Sequence, residues 1–211
     1  LLRFAKIYEN GKTTVLGIFL DTETNGLNIL KHKTIEIAFK ILDISTGALV
    51  DSYHSVIAIS SEDWERSDPE SLGVNGFSWH EVSTHGIAPS EAALTITECF
   101  ARNKIKRGEA VFICQNPSFD RAFFAQLIDP DTQERFLWPY HWLDLASMFW
   151  VEAIRKNKNK EGPPPWETGL SKDTIASVFR LSSEQKPHRA MNGVDHLILC
   201  YKAVVGFPKN P

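Results

Sequence analysis

Asp21 and Glu23 stand two residues apart at the end of the apolar run Val15-Leu-Gly-Ile-Phe-Leu20. A short apolar run closed by turn residues predicts a buried strand. On a strand, residues two apart point to the same side. Both carboxylates then face one point, Thr22 turns away, and Asn25-Gly26 ends the strand in a turn. Two acids held this close repel each other, and a divalent cation between them would offset the repulsion. A pair of acids beside a solvated turn has the same spelling, so the spacing alone leaves both readings open.

Three more groups with chemical potential follow along the chain. Asp120 comes just after the apolar stretch Val111–Cys114, at the head of a helix marked by Phe119, Phe123, Leu127 and Ile128. An aspartate there is ordinarily a cap or a partner of the helix dipole. His188 sits in Pro187-His188-Arg189-Ala190, which by itself reads as a surface loop. Asp195 opens a final helix whose apolar face is Val194, Leu197, Ile198, Tyr201, Val204 and Val205.

The elements that position these groups alternate in type. Thr34–Leu42 and Leu49–Ile59 are β-rich and joined by a turn over Asp43–Gly47. With Val15–Leu20 they predict a three-strand antiparallel meander. Ser60–Gly76 is polar, carries Asp68-Pro69, and reads as loop. Ser90–Asn103 has Ala93, Ile96 and Phe100 at helical spacing, and Trp142–Ile154 reads as a strand end running into a helix. Asn157–Gly169 (NKNKEGPPPWETG) breaks the pattern and predicts an exposed loop, since three consecutive prolines join neither a helix nor a central strand. Its lysines, with Lys156, would steer a polyanion or simply solvate a linker. Leu170–Phe179 is a short helix. A meander followed by strand–helix alternation predicts an α/β fold with a mixed central sheet and helices on both faces.

The bulk composition narrows the class. At 211 residues the chain suits one α/β domain over 1–211, with its core at about 15–205 and 157–169 as an inserted loop. The net charge of −3 argues against non-specific coating of duplex nucleic acid. Cys99, Cys114 and Cys200 lie in apolar surroundings without CxxC spacing, which fits buried thiols in a reducing, cytoplasmic setting. No apolar run reaches membrane-spanning length, so no membrane partner is expected. Leu1 stands where a methionine would, so an upstream segment is expected to be missing.

The spelling adds to this reading. Phe19–Leu27 (FLDTETNGL), followed by Ile35-Glu36-Ile37-Ala38, resembles the first motif of the DEDD 3′–5′ exonuclease superfamily. The similar branch is DEDDh, which includes the proofreading epsilon subunit, ribonuclease T, oligoribonuclease and the TREX enzymes. Asn116-Pro-Ser-Phe119-Asp120 resembles the second motif, and His188-Arg189-Ala190 with Asp195 resembles the third. There the family places Asp five residues after His. Here that position is Gly193, with Asp195 seven after, so Asn192-Gly193 reads as an insertion looped out in a tight turn.

The resemblance implies a ribonuclease H-like fold and a 3′–5′ exonuclease that releases 5′-mononucleotides from single-stranded or frayed DNA or RNA. It implies two Mg²⁺ or Mn²⁺ ions held by Asp21, Glu23, Asp120 and Asp195, with His188 as general base. His196, adjacent to Asp195, is expected to face away from such a centre. Thr24, Asn25, Gly26 and Leu27, with His85, Asn116 and Phe119, would border the 3′-terminal nucleotide, Leu27 as a wedge between bases. Asp144 would cap a helix. The partner implied is a strand with a free 3′ end, and the family also admits a DNA polymerase or a second copy. Two alternatives stay open: an oligoribonuclease-like enzyme on short RNA, and a degenerate module that binds nucleic acid or a polymerase without cleaving. The altered third motif favours the module.

Overall fold

The computed structural model describes residues 15–208. Five strands form one sheet in the order β3-β2-β1-β4-β5. They are β1 (Leu16–Thr24), β2 (Thr34–Asp43), β3 (Leu49–Val56), β4 (Ala110–Cys114) and β5 (Trp142–Asp144). β1, β2 and β3 are the antiparallel meander, with Asp21 opposite Ala38 and Glu23 opposite Glu36. β4 runs parallel to β1, and β5 parallel to β4. The sheet is thus mixed, as the alternation predicts.

Both faces of the sheet are buried, which is why β1, β2 and β4 read as near-continuous apolar runs. One face carries Ile18, Leu20, Ile37, Phe39 and Phe112 against α4 (Pro89–Arg102) and α5 (Pro117–Leu127). The other carries Phe19, Ala38 and Ile113 against α7 (Leu145–Lys158), α9 (Lys172–Val178) and α10 (Ala190–Val204). Phe19 meets Tyr201 of α10 edge to face at 5.1 Å, a contact worth roughly 1 kcal/mol beyond its buried area. Asp21 and Glu23 share the Phe19 face by strand alternation, so they lie on the side that α10 covers. All three cysteines are free and buried.

Several boundaries differ from expectation, and prolines explain most of them. Ser60–Gly76 is not loop: it holds α1 (Ser61–Glu65) and α2 (Pro69–Asn75). Ser60 and Asp68 are their N-caps, and Pro69 takes the first helical turn, where its missing N–H costs nothing. Two short helices had no periodicity to announce them, α3 (Trp79–His85) and α6 (Pro130–Arg135), each capped by the residue before it, Ser78 and Asp129. The segment 157–169 is not all loop either. α7 runs on to Lys158, and Pro165 opens the short α8 (Pro165–Thr168). Asp144 caps α7 by accepting from the N–H groups of Ala146 and Ser147.

The largest difference is at the last helix. α10 begins at Ala190, five residues before Asp195, and its first turn contains Asn192 and Gly193. The Gly193 N–H donates to the Arg189 carbonyl at 2.9 Å, so these two residues are wound into the helix and not looped out. The buried Glu36 carboxylate accepts from the Ala190 N–H at 2.6 Å and caps the helix from β2, a role the Arg189 side chain does not fill.

Candidate nucleic-acid site

Asp21, Glu23 and Asp120 converge where β1 passes the end of β4. β1 and β4 pair only as far as Phe19 and Ile113. Beyond that point the Thr22 N–H is free of the ladder, and Asp120 Oδ1 accepts it at 3.0 Å and the Thr22 hydroxyl at 2.9 Å. Asp120 is buried at the first turn of α5. Burial, and after it the nearby Asp21 charge, push its carboxyl well above the ordinary range. Burial followed by the charges of Asp21 and Glu36 raises Glu23 to about 8. Burial raises Asp21 as well, and Lys172 works against the shift.

Lys172 is the residue that the sequence did not announce. It opens α9, and its ammonium enters the acid cluster, with Nζ 3.2 Å from Asp21 Oδ1, 3.0 Å from Glu184 Oε2 and 3.5 Å from the Gly193 carbonyl. Burial opposes its charge, but Asp21 and Glu184 more than offset this and hold it above the usual lysine range. Glu184 is itself buried. His188 Nδ1 lies 3.4 Å from Glu184 Oε1, and His196 Nδ1 lies 3.5 Å from Glu184 Oε2. His196 is buried and its Nε2 is 3.0 Å from the Ser182 carbonyl oxygen. The two histidines therefore flank one carboxylate, with His188 the more exposed.

The fourth acid is not brought to this point. Asp195 forms an ion pair with Lys40 and its side chain is 55% exposed. It lines a hollow of about 300 Å³ between α10 and Ser182–Gln185. The position that faces the cluster is Gly193: a Cβ there would lie 2.2 Å from Asp21 Oδ2 and 3.1 Å from Lys172 Nζ. Residues two apart on a helix are about 200° apart around its axis, so Asp195 cannot take over from residue 193. With Asp195 turned away and the Lys172 ammonium on Asp21, the expected set of Asp21, Glu23, Asp120 and Asp195 does not fit a two-metal centre. Among the described residues, no group of three or more His, Cys, Asp or Glu is arranged to hold a metal ion.

The expected strand-binding residues are divided between surface and support. Leu27 is 73% exposed just beyond β1. Asn25 is buried and structural: its amide donates to the Asp63 carbonyl and the Ser67 hydroxyl and accepts the Lys33 N–H. Thr24 is buried and donates to the Gly26 carbonyl. Gly26 allows His32 close approach, since a Cβ there would sit 2.2 Å from the imidazole. His85 and Asn116 are exposed, Asn116 in the left-handed region at φ 57°, and Phe119 packs on Phe123. Arg189 holds the His188 segment in place through both oxygens of Glu81, at 2.7 and 3.1 Å, and over the Phe77 ring.

No protein-family model and no curated relative matches the sequence. Solved structures do. E. coli exonuclease I in complex with a dT13 oligonucleotide superposes with a TM-score of 0.68 at 16% identity, over 90% of this chain and 41% of that one. This chain has the fold of the part of exonuclease I that it matches. A zinc-bound exonuclease I–single-stranded DNA complex from E. coli matches at 0.66 and 16%, over 90% and 40%. Cell-death related nuclease 4 matches at 0.69 and 14%, over 89% and 62%. The chain spans about two fifths of exonuclease I. The resemblance read from the motifs thus holds for the fold. Among the described residues no helix is long and apolar enough to cross a membrane.

Proposed function

We propose that this chain is a domain of exonuclease fold that engages the 3′ end of single-stranded nucleic acid at the Asp21 end of β1, without two-metal hydrolysis. The observation that carries this reading is Lys172 Nζ at 3.2 Å from Asp21, inside the acid cluster of that fold. Strand recognition is supported by the exposed Leu27 beside the cluster, and by the single-stranded DNA held by the E. coli exonuclease I to which the fold is similar.

The test is a short 5′-labelled DNA or RNA strand with a free 3′-hydroxyl, followed by fluorescence anisotropy in chelator and by gel with Mg²⁺ or Mn²⁺. The expected result is binding in chelator that is weakened by a 3′-phosphate, with the strand remaining full length. Absence of binding by either polymer overturns the reading. A second reading, 3′–5′ exonuclease activity, is favoured by Asp21, Glu23 and Asp120 standing together with His188 close by. A ladder that shortens from the 3′ end with added metal would establish it in place of the first.

A further inference from the structure

We infer that the Lys172 ammonium is the resident cation of this site, standing in the place a divalent ion would take, and that Lys172 and Gly193 are a matched pair. This rests on the Asp21 end of β1 being the strand-binding site. The ammonium has three N–H donors and three acceptors: Asp21 Oδ1, Glu184 Oε2 and the Gly193 carbonyl. A hard divalent ion needs about six oxygen ligands at 2.0–2.6 Å. Here the oxygens around Nζ are at 3.0–3.5 Å, the spacing of hydrogen bonds to nitrogen.

The pair is complementary in charge and in space. Gly193 places no negative charge opposite Asp21, and an acid there would meet Asp21 Oδ2 at Cβ already. Lys172 supplies a positive charge shared by Asp21 and Glu184. Neither residue alone leaves the cluster balanced. Both together give a site in which Asp21 and Glu184 share the Lys172 ammonium. Lys172 enters from the start of α9, where Ile175 and Ala176 pack into the core and hold the helix against α10. The side chain is therefore delivered by a packed element, not by a mobile tail.

Metal affinity separates this from a conventional centre without depending on activity. Mn²⁺ is titrated into the wild-type chain, Lys172→Met and Lys172→Met/Gly193→Asp, with bound metal read by electron paramagnetic resonance and thermal unfolding followed in parallel. The wild type is expected to show no saturable Mn²⁺ binding and no metal-dependent rise in Tm. Lys172→Met leaves the carboxylates without a counter-ion, so it should unfold at lower temperature in chelator, bind Mn²⁺ at least tenfold more tightly than wild type, and recover stability with the metal. The double variant, in which the Asp21 side chain must shift to clear the new Cβ, should bind more tightly still. Saturable Mn²⁺ binding by the wild type that Lys172→Met fails to strengthen overturns the inference. If neither variant folds, the wild-type titration decides alone, since a metal-dependent rise in Tm there is enough to refute it. Strand binding by the wild type in chelator is scored separately, so loss of the strand-binding reading and loss of this one give different results.

Discussion

Glu36 and Gly193 show how much a single position carries. Glu36 belongs to the stretch Ile35-Glu36-Ile37-Ala38, which marked the motif, yet no role for its side chain followed from the spelling. In the fold one oxygen caps α10 at Ala190 and the other lies 2.6 Å from His54 Nε2. Glu36→Ala leaves a buried N–H and an imidazole without partners. Its expected cost is roughly 2–3 kcal/mol in urea unfolding, and a loss below about 0.5 kcal/mol would mean that the cap contributes nothing. The acids Asp21, Glu23 and Asp120 were legible because strand alternation and strand ends fix where side chains point. The fourth was not. Asn192-Gly193 is a common turn pair, and the apolar contacts of Ala190 and Val194 on the sheet, with the Glu36 cap, decide that it winds into the helix. That one turn of helix carries Asp195 to Lys40. Lys172 was illegible for a related reason: nothing in Leu170-Ser171-Lys172 says that a helix N-terminus will abut β1.

At the scale of elements, the three-strand meander and the last helix were readable from periodicity, while helices that start at Asp-Pro or Pro-Pro were hidden by the same prolines that open them. Besides its ladder with β2, the edge strand β3 is held by a tertiary contact that the sequence did not announce. Asp51 on β3 accepts from Arg102 Nε at 2.8 Å and from Asn103 Nδ2 at 2.6 Å, at the end of α4. The Arg102 hydrogen bond, aided by Asn103, lowers the Asp51 carboxyl to about 2. Its folded pKa is thus depressed below the ordinary 3.9 or so of the unfolded chain. The stabilisation is present above that unfolded value and is lost as pH falls through about 2. Arg102 is more than half exposed, so screening reduces the tie to about 1 kcal/mol. Asp51→Asn is expected to cost that amount at pH 7 in urea unfolding, with the gap to wild type closing as pH is lowered through about 4 to 2.5. A gap that stays constant over that range would show that the carboxylate charge plays no part in anchoring β3.

For the whole molecule, the question is what would hold a strand on a chain with a net charge of −3. Three of the cations near the binding face are already engaged: Arg189 with Glu81, Lys40 with Asp195, and Lys172 with Asp21 and Glu184. Farther off, Lys156 lies 4.4 Å above the Phe179 ring and 3.8 Å from Glu152, so it too is committed. Apolar side chains, by contrast, are open on the segment after β1 and on α3. Leu27 and Leu30 are exposed, and Trp79 is exposed enough to accept a base while resting against Trp64 at 5.9 Å. Affinity should therefore come mainly from stacking and from contacts at the 3′ end, with few phosphates neutralised. Each neutralised phosphate on a single strand contributes about −0.7 to the slope of log affinity against log salt. With about two such contacts, the slope should be no steeper than about −1.5 in anisotropy titrations across a salt series in chelator. A slope of about −3 or beyond would require four or more free cations on the strand's path. That would contradict the pairing of Arg189, Lys40 and Lys172 from which this prediction follows.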